Sequence, residues 1–257
     1  MKRIRSETKV LFDLLVGIFK FPIRFLLALF GKRRFGDAFA PLRHFVEGFV
    51  EPKFTVFLCV ALSVSFLVSL FFSSSFFGSL LLYPGDILGI RFFSLITHGF
   101  LHASLMHLFG NLLIIYVFGR IVELEFGSFY TSIIYFFGLA FAGVFASLVN
   151  LSQGVTSPSL GASGAAMALV SAAVFFRPFY LSYVFLFPLP VLLIGWSLVY
   201  SDILGVLSLT DSNIGYFAHL GGFLSSFLTL FPFNKIAFVK GLLLNSLFLV
   251  ILVMLYL

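Results

Sequence analysis

From Phe54 onward, Asp, Glu, Lys and Arg are confined to a few short intervals, leaving six stretches free of them at residues 54–85, 92–119, 126–176, 178–201, 212–234 and 241–257. A helix needs about 20 largely apolar residues to cross the hydrocarbon core of a bilayer. The third stretch is too long for one crossing. Its interior run Asn150-Leu-Ser-Gln-Gly-Val-Thr-Ser-Pro158 is rich in turn formers and predicts a break into two helices. Seven spans are expected, in an all-α, polytopic membrane helix bundle. Composition supports this solvent: 61% of the residues are hydrophobic and 10% charged, against about a quarter charged in soluble domains. The single cysteine, Cys59, excludes a disulfide framework and a cysteine metal site.

The net charge of +6 is unevenly spread, with eleven of the sixteen Lys and Arg ahead of Phe54. A basic segment beside a hydrophobic domain marks the cytoplasmic face and its anionic lipids. No nucleic-acid recognition module accompanies it, so no nucleic-acid partner is expected. Lys2, Arg5, Lys9, Asp13, Gly17, Lys20 and Arg24 recur every three or four residues among Leu, Phe, Val and Ile. That spacing predicts an amphipathic helix lying on the inner surface, followed by a linker at Gly31-Lys-Arg-Arg-Phe-Gly36. Arg120, Arg177, Lys235 and Lys240 follow the second, fourth and sixth spans, whereas the opposite loops carry Asp86, Asp202 and Asp211 with Arg91. The N-terminus is therefore expected in the cytoplasm and the C-terminus outside.

Polar groups inside spans are costly and stand as functional candidates. Span two carries His98, His102, His107 and Asn111, span four carries Ser163, and span six carries His219. His107 lies thirteen residues before Arg120, Ser163 fourteen before Arg177 and His219 sixteen before Lys235. At 1.5 Å per residue these are heights of roughly 20, 21 and 24 Å above the cytoplasmic charges. One layer, about a third of the way in from the outer face, thus receives a hydroxyl and two imidazoles.

A serine hydroxyl attacks only when a base takes its proton, and His219 is the candidate base. Asp211 is a poor third member, eight residues before His219 and about 12 Å up a helix, so a Ser163/His219 dyad is the economical reading. His107 and Asn111, four residues apart, share a helix face and can donate with the Ser163 backbone N–H to a developing oxyanion. Gly161, Ala162, Gly164, Ala165 and Ala166, with Gly215, Ala218, Gly221 and Gly222, let spans four and six approach. Each feature alone is ordinary: membrane serines bond to their own backbone, and lone buried histidines link helices. Their convergence at one depth carries the specificity.

Three motifs resemble those of the intramembrane rhomboid proteases: His102-Ala-Ser-Leu-Met-His107-Leu-Phe-Gly-Asn111, Gly161-Ala-Ser-Gly164, and Ala218-His219 with Gly222. Gly119-Arg-Ile-Val-Glu123 followed by Gly127-Ser128 is similar to the turn between that family's second and third helices. The resemblance covers about residues 54–231 and implies a rhomboid-like six-helix core plus a seventh C-terminal transmembrane helix. The chain then divides into a basic segment at 1–53, the core at 54–234 and the extra helix at 235–257. It further implies a serine endopeptidase with Ser163 and His219 catalytic, His107 and Asn111 at the oxyanion, and no metal or organic cofactor. Its partners would be the lipid bilayer and single-span protein substrates cut near the outer end of their helices, at the cell membrane. Departures from the family pattern are Phe93 and Ser94 where a Trp-Arg pair is frequent, Met167 where an aromatic often stacks on the base, and Ser226 in place of a glycine. A catalytically silent rhomboid-like binder of transmembrane helices and a histidine-lined transporter or channel are the alternatives; a fluorophosphonate label at Ser163 separates the protease from both.

Overall fold

A computed structural model describes residues 7–32, 34–182, 188–207 and 215–256. The chain begins with α1 (Glu7–Leu29), α2 (Phe35–Ala38) and α3 (Ala40–Val50), and α1 packs along α3 with Gly17 against the Pro41 ring. Phe12, Phe19 and Ile23 on α1, and Phe30 just beyond it, are largely exposed. Lys2 and Arg5, at the head of the charged stripe, lie outside the described residues.

α4 (Lys53–Ser69) starts after Pro52, which has no side-chain cap to offer. Its first N–H groups are satisfied from far along the chain. Glu123 accepts from the Phe54 and Thr55 amides, both at 3.0 Å, from the Thr55 hydroxyl at 2.8 Å and from the Ser128 hydroxyl at 2.6 Å. A carboxylate at a helix N-terminus also meets the positive end of the dipole. This is the structural work of the Gly119-to-Ser128 motif.

α4 ends well before residue 85. Ser73 accepts the Phe76 N–H and caps a separate short helix, α5 (Ser74–Leu80), which opens a structured loop containing a 3-10 turn at Pro84–Leu88, α6 (Ser94–Thr97) and a second 3-10 turn at His98–Phe100. Arg91 organises this loop: its guanidinium donates to the Ser79 and Leu81 carbonyls at 2.9 and 3.3 Å, pairs with Asp86 and lies over the Tyr83 ring. Arg91 thus supplies loop contacts despite the departures at Phe93 and Ser94.

α7 (Leu105–Ser152) is two helices joined at Gly127, whose φ of 77° takes a left-handed turn that other residues resist. Its start corrects the expected span two. Ser104 caps it by accepting the His107 N–H, so His98 and His102 precede the helix. A loop through Pro158 leads to α8 (Ser163–Phe176), as the turn-rich run predicts. β1 (Leu181–Ser182) and β2 (Leu189–Pro190) form a two-stranded antiparallel hairpin, then α9 (Val191–Leu207), α10 (Tyr216–Leu230) and α11 (Lys235–Tyr256) follow. α9 begins after Pro190 because a proline tolerates only a helix start. The helix is therefore displaced towards the C-terminus relative to the expected fifth span and runs past Asp202.

α8 occupies the centre, buried at every residue from Gly164 to Phe175 and packed by α7, α9, α10 and α11. Small residues permit this. A Cβ on Gly138 would fall on Ala168, and one on Gly241 would fall on the Phe175 carbonyl oxygen. Asn245 of α11 reinforces the second contact, donating to the Val174 carbonyl of α8 at 3.4 Å and accepting from Trp196 Nε1 at 2.8 Å. Ser226, the departure from glycine, is fully buried and its hydroxyl meets that of Ser171. At the end of the bundle near α3, Arg120 donates to the Gly48 carbonyl at 2.7 Å and Arg177 pairs with Glu125.

By length and composition α7 is the one described helix fit to cross a membrane, with α3 and α4 making a second if their 80° bend is counted as one span; α8 and α9 are shorter apolar helices. A mostly helical bundle is what the structure bears out of the six-plus-one expectation.

Candidate active site

Ser163 is the first residue of α8. The first hydrogen bond at this end runs from the Ala166 N–H to the Ala162 carbonyl at 2.9 Å. The amides of Ser163, Gly164 and Ala165 therefore have no acceptor within the helix, and they lie at its positive end. Ser163 itself is half-buried. Met167, one turn on, is buried in the core.

The loop entering α8 is pinned from outside it. Leu82 and Ser159 exchange backbone hydrogen bonds at 3.1 and 2.8 Å, and the Gly161 N–H donates to the His98 carbonyl at 2.9 Å. Gly161 then turns with a φ of 112° directly against α7. A Cβ there would lie 2.8 Å from Cε1 and Nε2 of His107 and 3.8 Å from Nδ2 of Asn111. Glycine is required twice, for the backbone conformation and for the space. His107 and Asn111 are thereby brought against the loop two residues ahead of Ser163. Asn111 is 5% exposed and its Nδ2 has no hydrogen-bond partner among the described residues. Buried donors of this kind are rare enough to need a reason.

The other two histidines shape the surroundings. His98 Nδ1 donates to the Ser94 carbonyl at 2.7 Å, and the His102 ring sits edge-on to that of His107 with centroids 5.2 Å apart.

His219 arrives on the second turn of α10. Contact between α8 and α10 is backbone to backbone: a Cβ on Gly222 would fall on the Gly164 carbonyl oxygen, and one on Gly164 would lie 3.3 Å from the Ala218 carbonyl oxygen. The neighbours of Ser163 and His219 thus touch directly. One partner of His219 was misplaced by sequence reasoning. Its Nδ1 donates to Asp202 Oδ1 at 2.8 Å. Asp202 is no loop residue but a buried member of α9, 6% exposed. An acidic residue five positions before the end of an apolar helix reads as a boundary in sequence; the available signal was the apolar run Ile203-Leu-Gly-Val-Leu207 beyond it. Asp211 lies outside the described residues. Among the described residues no group of three or more His, Cys, Asp and Glu side chains is arranged to hold a metal ion.

The sequence surrounding this geometry matches a known pattern. The Rhomboid domain family model matches residues 90–236, more than half of the chain and inclusive of Ser163, His219, His107 and Asn111. RHOMBOID-like protein 12, mitochondrial, of Arabidopsis thaliana is 28% identical over 196 residues, covering 70% of this chain and 58% of the relative. The chain therefore spans less than two thirds of that relative's length. Since the matched region runs from the loop that pins Gly161 through α10 to the start of α11, the chain belongs to the rhomboid family of integral membrane proteins.

Proposed function

We propose that this protein is an intramembrane serine endopeptidase that cuts transmembrane segments near their outer ends. The observation that carries the reading is the start of α8. Fourteen helical residues extend about 21 Å, short of the roughly 30 Å hydrocarbon core. If the Arg177 end lies at the cytoplasmic boundary, Ser163 begins about 10 Å below the outer one. Non-helical backbone at such depth is tolerated only where protein buries it or where it lines a water-filled cavity. The loop 153–162 meets that condition through its bonds to Leu82 and His98. A cavity opening outward delivers the water that hydrolysis consumes.

In this reading Ser163 Oγ attacks the scissile carbonyl carbon while His219 accepts its proton, and the same proton passes to the departing amine. The Ser163 N–H, the His107 ring and Asn111 Nδ2 stabilise the tetrahedral oxyanion. Water then cleaves the acyl-enzyme with His219 again as base. A substrate helix hides its carbonyls in its own hydrogen bonds, so its outer end must unwind to enter.

The membrane arrangement belongs to the same proposal. α4, the two halves of α7, α8, α9 and α10 form a six-helix core with α11 added, while residues 1–53 lie on the inner face. Arg120 and Arg177 meet Gly48 and Glu125 at the end of the bundle next to the N-terminal segment, which supports a common cytoplasmic side. The test is covalent labelling of the purified chain with a fluorophosphonate probe. Labelling of the parent at Ser163 and its loss in Ser163→Ala and His219→Ala are expected; an unlabelled, folded parent refutes the protease reading.

A further inference from the structure

Between α9 and α10 the antiparallel register is fixed by two contacts one turn apart. A Cβ on Gly205 would fall inside the Tyr216 ring, so the two helices close tightly at that level. Three residues earlier on α9 and three later on α10, Asp202 Oδ1 accepts a hydrogen bond from His219 Nδ1–H at 2.8 Å. Both side chains are mostly enclosed, at 8% and 19% exposure. A carboxylate buried in an apolar helix is expensive unless it is paired and hydrogen-bonded. Nothing about helix packing asks for one here, because Gly205 and Tyr216 already set the approach.

Resting on the serine-protease reading above, we propose that Asp202 is the positioning residue of the Ser163/His219 pair, converting the expected dyad into a Ser-His-Asp relay of contacts. With Nδ1–H committed to Asp202, the neutral imidazole carries its lone pair on Nε2, the nitrogen left to receive the serine proton. The carboxylate also fixes the plane of the ring and stabilises the imidazolium that exists while the tetrahedral intermediate does. Asp202 itself stays ionised throughout. No proton passes to it. Among the described residues His107 on α7 is also within electrostatic reach of His219, and with two donor nitrogens or a lone pair of its own it cannot substitute for a fixed anion at Nδ1.

The test uses the full chain in detergent and the same fluorophosphonate probe, with the maximal inactivation rate kinact, the half-saturating concentration KI and the melting temperature measured for the parent, Asp202→Asn and Asp202→Ala. An asparagine keeps the shape but can present its amide NH2 to Nδ1, stabilising the wrong tautomer. Loss of a histidine-orienting aspartate from a serine nucleophile system lowers the rate by about 10⁴. The expected result is a fall in kinact of about a hundredfold or more in both variants, with KI within about threefold and melting unchanged in Asp202→Asn. If Asp202→Asn retains kinact within about threefold of a parent that labels at Ser163, the positioning role is overturned while the dyad stands. A loss that appears only with a raised KI or a lowered melting temperature makes Asp202 a packing residue, which overturns it equally. A parent that does not label fails at the earlier step, the serine-protease reading itself.

Discussion

Glu123 offers the most direct measurement of what the bundle's non-helical hydrogen bonds contribute. Its two oxygens receive four donors: Oε1 takes the Phe54 amide and the Ser128 hydroxyl, and Oε2 takes the Thr55 amide and hydroxyl. Glu123 and Thr55 are 2% and 1% exposed, so water cannot replace the carboxylate. In Glu123→Ala the two hydroxyls can rotate to other acceptors, but the two amides at the head of α4 cannot. Each stranded buried amide costs about 1–3 kcal/mol, or about 4 kcal/mol for the pair. For a chain of this size about 2–4 °C of melting temperature accompanies each kcal/mol, giving a loss of about 8–16 °C. Glu123→Gln keeps one acceptor oxygen and should lose about half as much. Melting can be followed by the reaction of Cys59, on α4 itself and the sole cysteine, with a thiol-reactive dye. An alanine variant melting within about 1 °C of the parent would refute the capping account, as would glutamine and alanine variants that fall together.

Three further outcomes follow from the site. Asn111→Ala should lower the fluorophosphonate labelling rate by about 10² to 10³, the usual loss for an oxyanion donor, while leaving melting nearly unchanged; an unaltered rate removes Asn111 from the oxyanion site. Gly161→Ala should abolish labelling with much less effect on secondary structure by circular dichroism, because the methyl group and the positive φ both push the loop away from His107; retained labelling would mean that the close approach has no role. A single-span substrate with Gly or Pro in its outer half should lose cleavage when those residues become Leu, with membrane insertion intact; equal cutting of the two in a reconstituted vesicle assay would dispose of the unwinding requirement.

Much of this was legible because hydropathy and helix breakers act locally. The break before α8, the grouping of Ser163 on one helix with His219 on another, and the glycines at their contact all followed from residue type and spacing. What failed were the boundaries, and for identifiable reasons. Charge-free stretches overestimate helix length wherever a serine cap can restart the chain, as Ser73 and Ser104 do. They underestimate it where a carboxylate is satisfied by a side chain from elsewhere. Asp202 was assigned to a loop on that account, since its partner His219 stands seventeen residues away on the next helix. The paired carbonyl at His98 and the bridge between Leu82 and Ser159 were invisible for the same reason: backbone groups carry no signature in sequence.

That bridge bears on when the molecule becomes competent rather than on how it works. Ser159 and Gly161 take their positions from residues 82 and 98, not from α8, whose own hydrogen bonds begin at Ala166. Contacts between such distant parts of a chain form late, after loop closure has been overcome. The pairing of α8 with α10 through Gly164 and Gly222 spans almost as long a stretch of chain, so helix contact and loop bridge are both late events. Ser163 thus acquires its surroundings together with the whole bundle, not ahead of it.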